Sequence, residues 1–171
     1  KSIRYAFLFW LPFYLNTALH FDRQESGYMA QAFEVGGVPF VIIAGFVADR
    51  WLGRRRVLAA AICLGLLALA LLLYQRFGGD GAMINVLLLM AVGASLFGAD
   101  SLVSGVVAQD LGGPHAAALA CGMINGIGSL GPVVQLLLID RLAWQDLFTV
   151  FVAMALVGIL PLLPYLKVRP A

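Results

Sequence analysis

Charged residues are scarce in this chain. Only 12% of its 171 residues are Asp, Glu, Lys or Arg, whereas 62% are hydrophobic and the mean hydropathy is +0.95. Soluble domains carry about 25% charged residues, so this composition excludes an ordinary soluble domain and predicts an integral membrane protein in a lipid bilayer. The formal net charge of +2 identifies no particular partner, and we expect no nucleic-acid partner.

Cysteine and histidine are also rare, with two of each. Cys63 and Cys121 each fall inside an apolar stretch, which predicts reduced packing residues and neither a disulfide nor a metal site. An intramembrane serine protease built on Ser129 needs a histidine on a later helix, but His20 and His115 both precede that serine. We therefore expect no enzyme, no metal and no cofactor. A purely structural membrane protein stays open as an alternative.

Long apolar stretches dominate what is present. At roughly 20 apolar residues per membrane span, the chain holds about six spans joined by short loops, which predicts an all-α bundle of six transmembrane helices. The chain begins almost inside the first span, and this fits a fragment of a longer polypeptide. We expect the spans at Ile3–Leu19, Gly27–Val47, Val57–Tyr74, Met83–Val107, Ala116–Ile139 and Leu147–Leu166.

Basic residues are shared unevenly between the loops. Alternating the loops along six spans puts eight Lys and Arg residues on one side and three on the other. The positive-inside rule assigns the richer side to the cytoplasm, so both termini are predicted to be cytoplasmic. The richer side holds Lys1, Arg4, Arg50, Arg54, Arg55, Arg56, Lys167 and Arg169, and the other side holds Arg23, Arg76 and Arg141.

The polar residues inside the spans follow a repeat. Two spans with polar side chains precede one plain apolar span, and the same order then recurs. The second span of each unit is interrupted by glycine and proline, at 36–39 and at 126–132. Three helices per unit require the second unit to be inverted, and interrupted helices at matching positions are typical of transporters. We predict two inverted three-helix repeats, residues 1–76 and 82–169.

Three ionisable residues, Arg4, Glu34 and Asp100, lie within predicted spans. Such a residue costs about 2.5–3.5 kcal/mol on insertion scales, so it normally faces an aqueous cavity or a partner. Asn125 belongs to a polar stripe on the fifth span and is expected to face the same cavity. We interpret these four as candidate substrate-binding residues. The alternative for Glu34 and Asp100 is a protonated packing residue bonded to a neighbouring helix.

The densest charge cluster lies in the loop between the second and third spans, which contains Gly45, Asp49, Arg50, Gly53 and Arg54. A topogenic positive loop is the simplest explanation. The order of residues also resembles the Gly-x-x-x-Asp-Arg-x-Gly-Arg-Arg loop of major facilitator superfamily transporters, with one extra residue before Gly53. We expect this loop to act in conformational switching and not in substrate contact, because an ion pair of Asp49 that forms in one conformer only shifts the conformer populations.

Further segments extend the resemblance over the whole chain. Residues 4–5, 9–15, 33–39, 109–112 and 125–131 resemble the C-terminal half of organophosphate:phosphate antiporters, the last two especially the sugar-phosphate exchanger branch. That family includes glycerol-3-phosphate and hexose-phosphate transporters. The resemblance identifies the chain with helices seven to twelve of a twelve-helix protein, so an N-terminal six-helix half is an implied partner.

The resemblance also implies roles for individual residues. In that family an arginine of helix seven clamps the substrate phosphate, and Arg4 stands at the matching position. An acid on helix eight matches Glu34, which is implied to pair with Arg4 or another cavity cation as the site opens and closes. Asp100 stands where these relatives usually carry an uncharged residue, a departure that bears on substrate choice or adds proton coupling.

Together these features predict one half of a transporter that exchanges a phosphorylated metabolite for inorganic phosphate by alternating access. The metabolite is expected to be a sugar phosphate or glycerol-3-phosphate, and the location a bacterial inner or plasma membrane. The alternative is a major facilitator transporter for another organic anion or a proton-coupled solute, which Asp100 favours.

Overall fold

The computed structural model describes residues 1–133 and 142–166 of the chain. Helices follow one another through these ranges with short connections. In chain order they are α1 (Ser2–Thr17), α2 (Arg23–Arg50), α3 (Arg56–Phe77), α4 (Ala82–Ser101), a π-helix (Leu102–Val107), α5 (Ala108–Gly128), α6 (Trp144–Val157) and a 3-10 helix (Leu160–Tyr165).

Local side chains define the ends of several helices. Asp22 caps α2, because its carboxylate accepts a hydrogen bond from the backbone N–H of Gln24 at 3.1 Å. Near the start of α4, the buried Asn85 donates from Nδ2 to the Tyr74 hydroxyl at 3.1 Å and to the Gly78 carbonyl at 2.7 Å. This amide ties the start of α4 to the end of α3.

The chain reverses its direction at Gly113, inside the range given for α5. The φ of +61° at Gly113 lies in the region that favours glycine. Beyond it, Cys121 Sγ lies 3.6 Å from the Gly105 carbonyl and Asn125 Nδ2 lies 3.5 Å from the Ser104 carbonyl. Since residues after Gly113 contact residues before it in reverse order, α5 packs antiparallel to the π-helix. The predicted turn between the fourth and fifth spans is confirmed.

Helices α2 and α4 cross with their backbones in contact. A Cβ atom on Gly36 would collide with the backbone of Met90, and one on Gly93 with the carbonyl of Phe33. Small residues permit such close crossings in membranes. The predicted interruption at 36–39 is therefore a packing site, because α2 continues through Pro39 without a break in its helical structure.

The aromatic core joins α1, α3 and α6. Rings of Phe7, Tyr14, Tyr74 and Phe148 pack together, with centroid distances from 5.2 Å for Tyr14–Phe148 to 6.3 Å for Phe7–Tyr74. All four residues are buried. Aromatic pairs add about 0.5–1.5 kcal/mol each beyond their buried area, so this cluster holds α1 and α6 against α3.

Four helical stretches among the described residues are long and apolar enough to cross a membrane, which confirms an all-helical integral membrane fragment. They are Arg23–Arg50, Arg56–Phe77, Ala82–Val133 and Trp144–Tyr165. The third contains the reversal at Gly113, and α1 has only 16 residues. The six-span arrangement in two inverted repeats, 1–76 and 82–169, stays a prediction. Arg141, Lys167 and Arg169 from the topology argument lie outside the described residues.

Candidate functional site

Two cations at the N-terminal end of α1, Lys1 just before the helix and Arg4 in its first turn, converge on one acid of α4. Arg4 Nη1 lies 3.2 Å from Asp100 Oδ2, and Lys1 Nζ lies 3.6 Å from Asp100 Oδ1, so each carboxylate oxygen faces a different cation. The side chains of Asp100 and Lys1 are 13% and 16% exposed. The structure thus brings together two of the predicted site residues and adds Lys1, which the sequence indicated only as a contribution to topology.

A ring of α4 supports the arginine. The Arg4 guanidinium carbon lies 4.2 Å from the centroid of the Phe97 ring, within the range of a cation–π interaction. Phe97 precedes Asp100 by three residues, so both side chains occupy one face of the helix. Helix α4 therefore presents a ring face and a carboxylate to the same guanidinium, which restricts its orientation.

Asn125, another predicted site residue, is connected to this ion pair by hydrogen bonds that run through the π-helix. Its Nδ2 donates to the carbonyls of Cys121 at 2.8 Å and Ser104 at 3.5 Å. Ser104 in turn donates from Oγ to the Asp100 carbonyl at 2.5 Å. The contact with Ser104 links α5 to the π-helix, whereas the bond to Cys121 lies within α5. Contact of Asn125 with substrate stays a prediction.

Space for a small solute adjoins the pair. A cavity of about 260 Å³ is lined by Lys1 and Asp100, and by apolar side chains of α3, α4 and α6 such as Leu67, Leu96 and Met154. A Cβ on Gly128 of α5 would lie 2.5 Å from Lys1 Cδ. The absence of a side chain at Gly128 therefore lets Lys1 pack against α5 at the edge of the cavity.

Glu34 lies outside this cluster. It is half-buried on α2, and none of the ion pairs among the described residues includes it. The acid that pairs with Arg4 is Asp100, so the expected pairing of Glu34 with Arg4 is absent from this structure. The neighbouring Phe33 ring lies 5.4 Å from the Phe97 ring in an edge-to-face contact, which packs this part of α2 against α4.

A second charged cluster forms in and beside the loop that follows α2. Arg56 Nε lies 3.0 Å from Asp49 Oδ1, and Arg56 Nη1 lies 3.0 and 3.1 Å from the two carboxylate oxygens of Asp110. One guanidinium therefore bridges the end of α2, the start of α3 and the first turn of α5. We call Asp49, Arg56 and Asp110 the loop cluster.

The other predicted loop residues shape the chain around this cluster. Gly53 and Arg54 have φ of +58° and +63°, which is uncommon for a residue with a Cβ. Arg54 donates its backbone N–H to the Ala48 carbonyl at 3.0 Å. Gly45 has open space around it, and Arg50 is exposed. Of the predicted loop residues, only Asp49 enters an ion pair among the described residues.

Arg56 and Asp110 are the members of the loop cluster that sequence reasoning did not select. A signal existed for Asp110, because it is one of the few acids on the side of the membrane that is predicted to collect most basic residues. Its partner is not readable from the sequence, since Arg56 and Asp110 are separated by 54 positions. Among the described residues no group of three or more His, Cys, Asp and Glu is arranged to hold a metal.

Comparison with known proteins adds independent information. The family model described as Major Facilitator Superfamily matches residues 2–171. The chain is 33% identical over 166 residues to a protein of Danio rerio named Glucose-6-phosphate exchanger SLC37A2, in an alignment that covers 90% of this chain and 33% of the relative.

Two other relatives are similar to a comparable degree. A protein of Arabidopsis thaliana named Putative glycerol-3-phosphate transporter 2 is 32% identical over 172 residues, covering 92% of this chain and 34% of that protein. Sugar phosphate exchanger 3 of Homo sapiens is 32% identical over 166 residues, covering 90% and 33%. The chain thus spans about a third of the length of these curated relatives. No solved structure matches the chain.

Proposed function

The chain belongs to the major facilitator superfamily, as its loop motif predicted, and on that premise we propose that it forms one half of an organophosphate:phosphate exchanger. The complete transporter would exchange a sugar phosphate or glycerol-3-phosphate for inorganic phosphate by alternating access. The superfamily consists of transporters, so the enzyme and purely structural alternatives are set aside.

The pair of cations at the N-terminal end of α1 is the observation that carries this proposal. Arg4 supplies a planar fork of donors that matches phosphate oxygens and stays charged at any relevant pH. Lys1 lies within 3.6 Å of the same carboxylate, so an anion that takes the place of this carboxylate is held by both cations. The names of the relatives, a glucose-6-phosphate exchanger and a putative glycerol-3-phosphate transporter, support a phosphorylated substrate.

Alternating access requires a second bundle that rocks against this one around a central site. We propose that an N-terminal six-helix half provides it, together with a second arginine for the phosphate. In this arrangement both termini of the present chain lie in the cytoplasm of a bacterial cell whose inner membrane holds the protein. Glu34 and Asn125 then face the cavity between the two halves.

We assign the loop cluster to conformational switching. Its bridging arginine joins three helix ends on the side that we predict to be cytoplasmic, and Asp49 is 53% exposed. A contact of this kind is easily broken when the helix ends separate, and an interaction present in one conformer only biases the conformer populations. Gly53 and Arg54, both with positive φ, shape the loop that places the cluster, while Gly45 and Arg50 lie in the last turns of α2 that lead into it.

A transporter for another organic anion or a proton-coupled solute is the second candidate. The observation that favours it is Asp100, an ionisable acid within the membrane region whose carboxylate faces the site. Such acids recur in proton relays of transporters. The two candidates differ in whether inorganic phosphate is itself exchanged.

Phosphate counterflow in proteoliposomes tests the proposal, using the full-length transporter that contains this chain. Arg4→Ala should abolish exchange, whereas Arg4→Lys keeps the charge but loses the fork and should weaken phosphate binding while part of the selectivity remains. Arg76→Ala, which removes an exposed arginine near a loop, is the matched control and should exchange like the wild type. Wild-type exchange rates in Arg4→Ala would refute the assignment and favour proton-coupled transport.

A further inference from the structure

Building on the proposed phosphate site, we propose that Phe97 is a positioning residue for phosphate binding. Its ring holds the guanidinium of Arg4 in one orientation while the partner at the edge of the guanidinium changes from Asp100 to the substrate. Helix α2 seats the ring, so the packing of α2 contributes to the affinity for phosphate.

The ring and the carboxylate of α4 contact different parts of the guanidinium. The guanidinium carbon of Arg4 lies over the Phe97 ring, 4.2 Å from its centroid, whereas Nη1 lies 3.2 Å from Asp100 Oδ2. The ring therefore covers a face, and the carboxylate takes a donor at the edge. In the described part of the chain, Nη1 is the one guanidinium nitrogen of Arg4 with a hydrogen-bond acceptor, and 36% of this side chain is exposed. Further N–H donors are thus open to an anion.

The contact with the ring is the one that persists when phosphate binds. A phosphate that takes the place of the Asp100 carboxylate removes the edge contact that orients Arg4 without substrate. The face of an aromatic ring attracts a cation through its quadrupole and needs none of the N–H donors. The ring therefore does not compete with phosphate oxygens, and the fork of donors stays presented to the substrate.

An arginine that is already oriented binds phosphate more tightly. A long side chain has many rotamers, and restricting them on binding lowers the affinity. Loss of the ring should therefore weaken phosphate binding by about two- to tenfold. The exchange rate at saturating phosphate should change little, because the ring acts on the binding site and not on the loop cluster.

The ring itself is seated by α2. Phe97 is 5% exposed, and the Phe33 ring contacts it edge-to-face at 5.4 Å between centroids. A Cβ atom on Gly37 would lie 2.6 Å from the Phe97 ring, so the ring occupies the room that a side chain at this position would take. Phe33 also stacks on Phe7 of α1 at 5.2 Å. A row of three rings thus runs from α1 through α2 to the guanidinium of Arg4.

A role of Phe97 in core packing alone gives a different expectation. Truncation of any buried ring lowers the free energy of unfolding, so a loss of stability does not distinguish the two roles. The distinguishing property is whether the effect of the ring on phosphate affinity depends on the fork of Arg4. Arg4→Lys keeps the charge but removes the fork, so little is left for the ring to orient.

Phosphate counterflow by the full-length transporter, at matched folded protein, gives the apparent affinity and the maximal rate of each variant. Phe97→Leu should weaken the affinity by about two- to tenfold and nearly retain the maximal rate. Phe97→Tyr keeps the ring face and should bind phosphate like the wild type. Phe97→Met, a second variant without a ring, should behave like Phe97→Leu, which keeps the test decisive if one of them folds poorly.

The coupling between the ring and the fork is the decisive measurement. In the Arg4→Lys background, Phe97→Leu should change the phosphate affinity much less than in the wild type, since residues in contact are not additive. Gly37→Ala should weaken the affinity in the wild type and have little further effect in Phe97→Leu, whose smaller side chain leaves room for the methyl group. Phe148→Leu is the matched control, because it removes a ring of α6 that is also 5% exposed. It should lower stability and leave the phosphate affinity unchanged.

The possible failures of the two proposals are distinguishable. Equal fold-changes for Phe97→Leu in the wild-type and Arg4→Lys backgrounds, with phosphate exchange intact, would overturn the positioning role alone. A lower maximal rate at unchanged affinity would overturn it as well. A wild-type transporter that neither exchanges phosphate nor is stabilised by phosphate against thermal unfolding would refute the proposed function, and the positioning role with it.

Discussion

Arg56 on α3 and Asp110 on α5 form a bifurcated ion pair, in which one nitrogen, Nη1 of Arg56, lies 3.0 and 3.1 Å from the two carboxylate oxygens of Asp110. The same guanidinium reaches Asp49 through Nε. Because Asp110 lies three residues before the reversal at Gly113, the pair links the two turns of the chain at one end of the bundle. An ion pair that joins two turns and remains partly open to solvent is suited to forming and breaking during a transport cycle.

Asp110→Asn should therefore slow phosphate exchange by about two- to fivefold, since exposed ion pairs contribute about 0.2–1 kcal/mol. The apparent affinity for phosphate should change much less, because the loop cluster does not touch the cations of α1. Initial rates of counterflow over a range of phosphate concentrations provide both quantities. Asp146→Asn, an exposed acid in the first turn of α6, serves as the control.

The double variant Asp49→Asn/Asp110→Asn makes the test sharper. Both acids act through Arg56, so their effects on the exchange rate should be less than additive. Fully additive effects, or a loss of phosphate affinity at an unchanged rate, would contradict the assignment of this cluster to switching.

Gly93→Ala should destabilise the bundle. The new Cβ would collide with the Phe33 carbonyl on α2, and overpacking of this kind costs typically about 1–3 kcal/mol. Gly65→Ala is the control, because a Cβ there meets nothing within 4 Å and Ala is about 0.5–1 kcal/mol better than Gly in a helix. Thermal unfolding of the purified protein measures both changes. Equal stability of the two variants would show that the α2–α4 crossing is not tightly packed.

Single cysteines at Trp51 and Asp80 should be labelled from opposite sides of the membrane. Trp51 is 76% exposed after α2, and Asp80 is exposed in the next turn along the chain. Trp51 is a better labelling position than Gly53, because the φ of +58° at Gly53 would strain any residue that has a side chain. In a background with Cys63 and Cys121 replaced by alanine, an impermeant maleimide should reach Trp51→Cys from the cytoplasmic side only. Labelling of both positions from one side would exclude the topology derived from basic residues.

Much of the fold was predictable because its signals are local. The cap at Asp22, the turn before α3 and the turn between α4 and α5 follow from polar or glycine residues between apolar runs. The interruption expected at 36–39 was wrong, because α2 stays helical there. Glycines within a span indicate either a break in the helix or a close crossing with another helix. The second helix decides between these two interpretations, and it is distant in sequence.

The candidate site was predictable only as a set of residues. Arg4, Glu34, Asp100 and Asn125 stand out because charged and polar side chains within a membrane span are costly. Which acid meets Arg4 depends on the rotation of α2 and α4 about their axes, and that rotation is set by the contact of Gly36 and Gly93 with the opposite backbone. Sequence spacing carries no information about it.

By itself, the sequence determined that this protein lies in a membrane and that it is helical, because hydropathy is a property of each segment alone. Its motifs also determined the superfamily. Only the tertiary structure decided that Asp100 pairs with Arg4 and Lys1, and that Arg56 joins Asp49 to Asp110. Both arrangements depend on side chains far apart in the chain, and helix packing alone brings them within the few ångströms over which an ion pair forms.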